Sequence, residues 1–280
     1  MALSASKIRQ SLESSDPELQ RSGFEQLILA LNHGTVRAAS RHSDGTWKAH
    51  AWVKKGLLYG FRKGQLAQIE ASPSPFFDKD TYPLKPLGLS DQVRLVPGGS
   101  SIRTGCYVSR DVICMPPMYI NTGAYVDQGT MVDSHALVGS CAQIGKRVHL
   151  SAATQIGGVL EPPGALPVIV EDDCFIGGGC GLYEGCVIRE GAVLAPGVIL
   201  TRSLPMYDLV RERIIPAGEV PPLAVVVPGS RQKSGSFANR NGISLYAPVI
   251  VKYRDANTDA ATELESALRS SIGSESFQVQ

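Results

Sequence analysis

From residue 120 onward an aliphatic side chain recurs at every sixth position. The series runs Ile120, Val126, Val132, Val138, Ile144, Leu150 and Ile156, pauses at VLEPPGALPVI, and resumes as Val170, Ile176, Leu182, Ile188, Leu194 and Leu200. Four residues after each anchor stands a small or modest side chain, such as Ala124, Thr130, Ala136, Ala142 or Thr154. A step of six matches neither the 3.6 of a helix nor the 2 of a strand. A solenoid accounts for it: six residues make one short strand and one turn, and three such units close a triangular coil. Residues eighteen apart then stack at roughly 4.8 Å, the inter-strand spacing. A chance run in a β-sandwich would not hold one phase through seven anchors and then six more. The run amounts to about four to five coils, and the interruption at 157–169 is expected to protrude as a loop from one corner, a place that commonly carries function.

The flanks read differently. Ser15-Asp16-Pro17 offers a cap and then a proline at the first helical position, where its missing N–H costs nothing. Phe24, Leu27, Ile28 and Leu31 follow as an amphipathic stripe ending near Gly34, and AHAWVKKGLLYGF predicts a second helix. Residues 66–100 read as loop, with five prolines. Beyond residue 200 the period fades; SLYAPVIVKYRD reads as a strand pair or hairpin, and DANTDAATELESALRSS as a short helix. The expected division is 1–100 mostly helical, 101–205 solenoid, and 206–280 a β hairpin region with a tail helix. Lys plus Arg total 27 against 26 Asp plus Glu, so no net field draws the chain to nucleic acid or membrane. Six cysteines without a CxxC pair, and an N-terminus without an apolar run, point to reduced thiols in the cytoplasm.

The stretch GAYVDQGTMVDSHALVGSCAQIGKRVHLS, with DGTWKAHAWVKKGLLYGFR and QVRLVP upstream and IPAG and ISLYAPVIVKY downstream, resembles the tetrahydrodipicolinate N-succinyltransferases. These are enzymes of the succinylase branch of lysine and diaminopimelate synthesis. The resemblance covers about residues 30 to 255. It implies a homotrimer built on a left-handed β-helix, with a helical N-terminal domain, a small C-terminal β region and active sites between subunits. It also implies acyl transfer from an acyl-CoA co-substrate to a small dicarboxylate amine. Handedness comes from the resemblance alone, because ordinary crossovers are right-handed.

Acyl transfer to an amine needs a base for the amine proton and donors for the developing oxyanion. The motif's aspartate falls on Asp133, which orients the amine or accepts its proton; a plain turn hydrogen bond, as at Asp127, is the competing reading. Arginine's planar fork suits a carboxylate. The family's substrate arginine matches Arg94, with Arg103 as a second contact or a surface salt bridge. Coenzyme A would run along small-residue turns at Ala195-Pro196-Gly197 and Gly191-Ala192, its phosphates meeting Arg231, Lys233 or Lys252, each of which could equally be a solvated charge.

His135 lies two residues past Asp133 as a rival base, and His149 is placed in another turn. A zinc site needs three converging ligands and the solenoid has no third histidine, so no metal is expected. Cys174, Cys180 and Cys186 fill the small slot and read as core thiols. One segment departs from the family: GGCGLYEG stands where it carries ARSEVVEG, so the second active-site carboxylate falls on Gly181 and a nearby arginine on Gly179. Glu184, across the anchor Leu182, cannot stand in. The exchange is expected to open volume, and it leaves two alternatives to succinyl transfer. One is an acetyl-CoA-dependent paralogue of the kind used in tabtoxin biosynthesis; the other is a non-catalytic trimeric solenoid. A sugar nucleotidyltransferase is excluded, since the first 100 residues hold no Gly-rich phosphate loop after a strand.

Overall fold

The computed structural model describes residues 4–70 and 75–255. The expected tail helix lies outside them. Every anchor of the six-residue series is at most 5 % exposed, and the small-slot residues Ala124 to Cys186 are equally enclosed. Each anchor is the second residue of a two-residue strand, and the strands pair in parallel with those eighteen residues away, as Val126 does with Val108 and Ile144, or twenty-six away across the interruption, as Ile144 does with Val170. Three parallel sheets result, joined coil by coil into a prism.

The first face runs upward from Tyr107–Val108 through Gln143–Ile144 to Glu219–Val220. The second runs from Arg94–Leu95 through Met131–Val132 and His149–Leu150 to Ala224–Gln232. The third runs from Ser101–Ile102 through Gln155–Ile156 and Gly181–Leu182 to Ile199–Leu200. Parallel pairing thus begins before residue 101 and resumes after 205, so the stack outruns the expected span at both ends. Ile102, Val108 and Cys114 are further buried anchors in the same phase.

The N-terminal region is not helical throughout. Helices α1 (Ala5–Leu12) and α2 (Pro17–Asn32) precede a two-stranded ribbon, Ala39–Arg41 with Trp47–Ala49, and then α3 (Ala51–Lys63). Asp16 caps α2 by accepting the Glu18 N–H at 2.9 Å, with Pro17 in the first turn. Phe24, Leu27 and Leu31 of α2 pack with Val53 and Leu57 of α3 into a second core. A second ribbon, Leu66–Ile69 with Phe76–Lys79, follows in the region expected to be loop.

This unit docks on the first face. Arg37 lies 3.7 Å over the Tyr125 ring and donates to Gln143, and Trp47 donates its indole N–H to buried Glu171 at 2.8 Å. The interruption does not stand free. Leu160 packs against the helical core, and the buried Lys54 ammonium donates to the Ala165 carbonyl at 2.6 Å. That burial lowers the Lys54 pKa.

At the other end, Ala224–Gln232 turns antiparallel onto Ser244–Tyr253, so the segment SLYAPVIVKY, expected to hold a strand pair or hairpin by itself, is instead one strand of a longer hairpin. Met206–Asp208 and Arg213–Ile215 extend that sheet. Buried Asp208 accepts from the Tyr253 hydroxyl at 2.7 Å and from the Val210 and Arg211 N–H groups. Desolvation pushes its carboxyl up, but these bonds prevail and hold it below the usual range. The Glu219–Val220 strand is followed by Pro221 and Pro222, and the Ile199 N–H donates to the Tyr246 hydroxyl at 2.7 Å.

Candidate active site

The corner between the second and third faces carries Asp133. The residue follows anchor Val132, is half-buried, and its Oδ1 accepts the Ser134 N–H at 2.7 Å. Asp127 makes the same bond one corner earlier, to Gln128 at 2.8 Å. The turn bond therefore does not distinguish Asp133; its surroundings do. Above it the same corner is formed by Ser151-Ala152-Ala153, Gly177-Gly178-Gly179 and Ala195-Pro196-Gly197, with no side chain larger than proline. Backbone bonds tie the levels: Ala153 N–H to Ser134 O at 2.8 Å, Gly179 N–H to Ala152 O at 2.9 Å, and Gly197 N–H to Gly178 O at 3.0 Å. A Cβ at Gly177 would stand 2.6 Å from the Pro196 nitrogen, so stacking at that height requires glycine. The result is a smooth strip rising about 14 Å, three inter-strand steps, from Asp133 to Ala195.

The second-face hairpin crosses the top of this strip, with Pro228 4.0 Å from the Cβ position of Gly197. Between Glu219 and Asp255 the chain has Arg231, Lys233, Arg240, Lys252 and Arg254 and no acidic residue. Arg231 is half-buried, with its Nε buried and without a partner among the described residues; Lys233 is exposed; Lys252 pairs with Asp255 at 3.3 Å. Gly191 and Ala192, by contrast, lie buried at the opposite corner, under Leu223 and Arg254.

Arg94 is exposed on the second face, in register with Ile113 and hence with Met131, about 10 Å below the level of Asp133. It shares that face with Asp133 without touching it. Arg103 is elsewhere. Its guanidinium pairs with Asp78, donates to Asn121, and lies 5.1 and 5.3 Å over the Phe61 and Tyr82 rings. That commits it to holding the second ribbon and α3 against the prism.

His149 is not in a turn. The anchor of its coil is Leu150, so His149 takes the outward strand position, where its ring stacks on Phe175 at 4.8 Å with 8° between planes. His135 sits exposed in the same turn as Asp133, with φ 61°. Burial pushes Cys180 up to about 11 and Cys106, Cys114, Cys141 and Cys186 up to about 12, and raises Cys174 further, so these thiols stay protonated at neutral pH. Among the described residues no group of three or more His, Cys, Asp or Glu could hold a metal ion, and no helix is long and apolar enough to cross a membrane.

Residues 4–62 match the model described as the tetrahydrodipicolinate N-succinyltransferase N-terminal domain, and 167–202 the hexapeptide repeat of succinyl-transferase. A 2,3,4,5-tetrahydropyridine-2,6-dicarboxylate N-succinyltransferase of Albidiferax ferrireducens is 45 % identical over 251 residues, covering 88 % of each chain. Proteins of the same name from Acinetobacter baylyi and an Acidovorax strain are 44 % identical, over 89 % of each chain, and 41 % identical, over 91 % of this chain and 92 % of theirs. The chain belongs to the tetrahydropyridine-dicarboxylate N-succinyltransferase family. A Campylobacter jejuni structure described as a putative 2,3,4,5-tetrahydropyridine-2-carboxylate N-succinyltransferase overlays with a TM-score of 0.42 at 13 % identity, over 82 % of this chain and 62 % of that one, and the fold assignment rests on the coils themselves.

Within this family of succinyltransferases, the GGCGLYEG segment is where the structure corrects the sequence reading. Gly179 is open, with nothing within 4 Å of a Cβ there. Gly181 is not open but buried: a Cβ on it would meet Tyr183 at 2.6 Å and Ile199 at 2.9 Å. The Tyr183 ring, which sequence reasoning missed, has folded back over it. Glu184 faces the next corner, its carboxylate accepting the Arg202 N–H at 3.2 Å.

Proposed function

We propose that this protein is a succinyl-CoA-dependent N-acyltransferase acting on tetrahydropyridine dicarboxylate or its open form, L-2-amino-6-oxopimelate. The observation that carries this reading is Asp133 at the foot of the small-residue strip, in a chain 41–45 % identical over about nine-tenths of its length to proteins of that name. The amine nitrogen attacks the thioester carbonyl, its proton passes toward the Asp133 carboxylate, and the carbon–sulfur bond breaks as coenzyme A leaves as the thiol. The pantetheine lies along the strip past Gly179 to Ala195 and Gly197, and its phosphates meet Arg231 and Lys233, with Lys252 behind them. Arg94 takes a carboxylate of the acceptor; Arg103 is left to its ion pair.

The working form is a homotrimer of left-handed prisms, each with a helical N-terminal domain and a C-terminal β region, the site lying between neighbours. Six buried free cysteines suit a reducing cytoplasm. The relatives' names support the succinyl donor over acetyl. The test is thiol release from succinyl-CoA and from acetyl-CoA, each with tetrahydropyridine dicarboxylate. Faster release from succinyl-CoA is expected; none from succinyl-CoA overturns the proposal.

A further inference from the structure

Face three presents one outward residue per coil, and in the coil of Gly181 that residue has no side chain. Its place is taken from two residues further on. An ideal Cβ at Gly181 lies 2.6 Å from Tyr183 Cε2 and 2.9 Å from its Oη, while one at Gly157, a coil below, lies 2.8 Å from Tyr183 Cδ1. Two glycines therefore form the slot in which the ring lies, and a side chain at either would evict it. Ile199 closes the slot above, its Cδ1 2.9 Å from the same Cβ position.

The slot aims the phenol. Tyr183 leaves the chain at the far end of its strand, yet its oxygen returns to Gly181, at the end nearer the corner of Gly177-Gly178-Gly179. Ring packing would need no hydroxyl there, and Tyr183 remains 36 % exposed, its hydroxyl making no hydrogen bond among the described residues. One coil below, outward Gln155 is in register with Gly181, and its amide donates to the carbonyl of His135 in the Asp133 turn. From Asp133 to this level is two coils, about 10 Å, which a chain of about eight bonded heavy atoms spans.

We propose that Tyr183 is a specificity-determining residue, its hydroxyl donating a hydrogen bond to a substrate carboxylate held on the third face beside the open Gly179 corner. The inference rests on the proposed succinyl transfer, in which both the acyl group and the acceptor end in free carboxylates. A neutral donor in a glycine slot leaves that carboxylate charged and excludes a fixed negative side chain from its position.

Steady-state kinetics of Tyr183→Phe and Gly181→Ala test it, varying each co-substrate in turn. Tyr183→Phe keeps the ring and removes only the donor. It is expected to raise KM about tenfold for the co-substrate whose carboxylate is bound, leaving the other KM and kcat within about twofold. Gly181→Ala, which displaces the ring, is expected to raise the same KM. A rise confined to succinyl-CoA identifies the acyl carboxylate, and one confined to the acceptor identifies the dicarboxylate. Both KM values unchanged in Tyr183→Phe would overturn the assignment and leave the ring as packing. A wild-type protein that releases no thiol from succinyl-CoA would instead sink the transfer reaction, and this inference with it.

Discussion

In the coil stack, neighbouring elements meet backbone to backbone; in the helical unit they meet through individual side chains. A coil is fixed by the ladder above and below it, as Gly139 N–H to Ile156 O at 2.8 Å and Gly157 N–H to Leu182 O at 2.8 Å. The helices are fixed by single contacts, such as the Tyr82 hydroxyl on the Leu57 carbonyl and the Lys85 ammonium on Asn32 and Cys106. The stack can therefore offer a uniform strip on which one unusual residue stands out, whereas the helical unit tolerates variation only where a particular contact is spared.

The sharpest way to break that contrast is at the unusual residue itself. Asp133→Asn keeps the turn bond and the shape, so turnover is expected to fall between about 10²- and 10⁴-fold while thermal stability stays put; near-normal turnover would remove Asp133 from the chemistry. Next come two glycine-to-alanine changes compared by urea denaturation. A Cβ at Gly139 would lie 2.2 Å from the Gly158 nitrogen, where only backbone can yield, and Gly139→Ala should cost about 3 kcal/mol. At Gly60 the obstacle is the Phe24 ring at 2.4 Å, which can rotate, so Gly60→Ala should cost about 1–2 kcal/mol. The reverse order would mean that the ladder is the softer of the two.

Asp208→Asn, at the hairpin end, should cost about 2 kcal/mol near neutral pH through its satisfied carboxylate. Because the folded carboxyl titrates below its unfolded value, that contribution is present above the unfolded pKa and lost as pH falls through the folded one. The wild-type and variant midpoints should thus converge in acid. The smallest effect belongs to Lys54. Its folded pKa is lowered, so the unfolded chain holds the proton more tightly. Wild type should therefore gain on Lys54→Met as pH rises from the folded value toward the unfolded one of about 10.4. Parallel pH curves would mean that the ammonium reaches water.

Repetition made the prism legible: Ile120 to Leu200 announce it because each anchor repeats its neighbour's environment. Leu95 pairs with Cys114 nineteen residues on rather than eighteen, and the segment 201–218 breaks the count before Val220, so the outermost strands at both ends fall outside the six-residue series. His149 stands one residue before its anchor Leu150, in the strand, whereas the turn position is one residue after an anchor, as at Asp133. The helical stripe was readable, but the ribbon between α2 and α3 was not, because three-residue strands leave little periodicity. At the site, Asp133 came from its motif. Tyr183 could not, since its role depends on two glycines, one of them twenty-six residues away in sequence.

The hairpin end has a consequence for the chain's behaviour in a crowd. A stack of parallel coils is a template that any like coil could extend, a route to end-to-end fibres. Here the upper rim of each sheet is blocked by a different device. Prolines follow Glu219–Val220 on the first, the Tyr246 hydroxyl occupies the Ile199 donor on the third, and the second reverses direction into Arg213–Ile215, which stops at Pro216. The molecule's length is set by these stops, and polymerisation would have to undo all three.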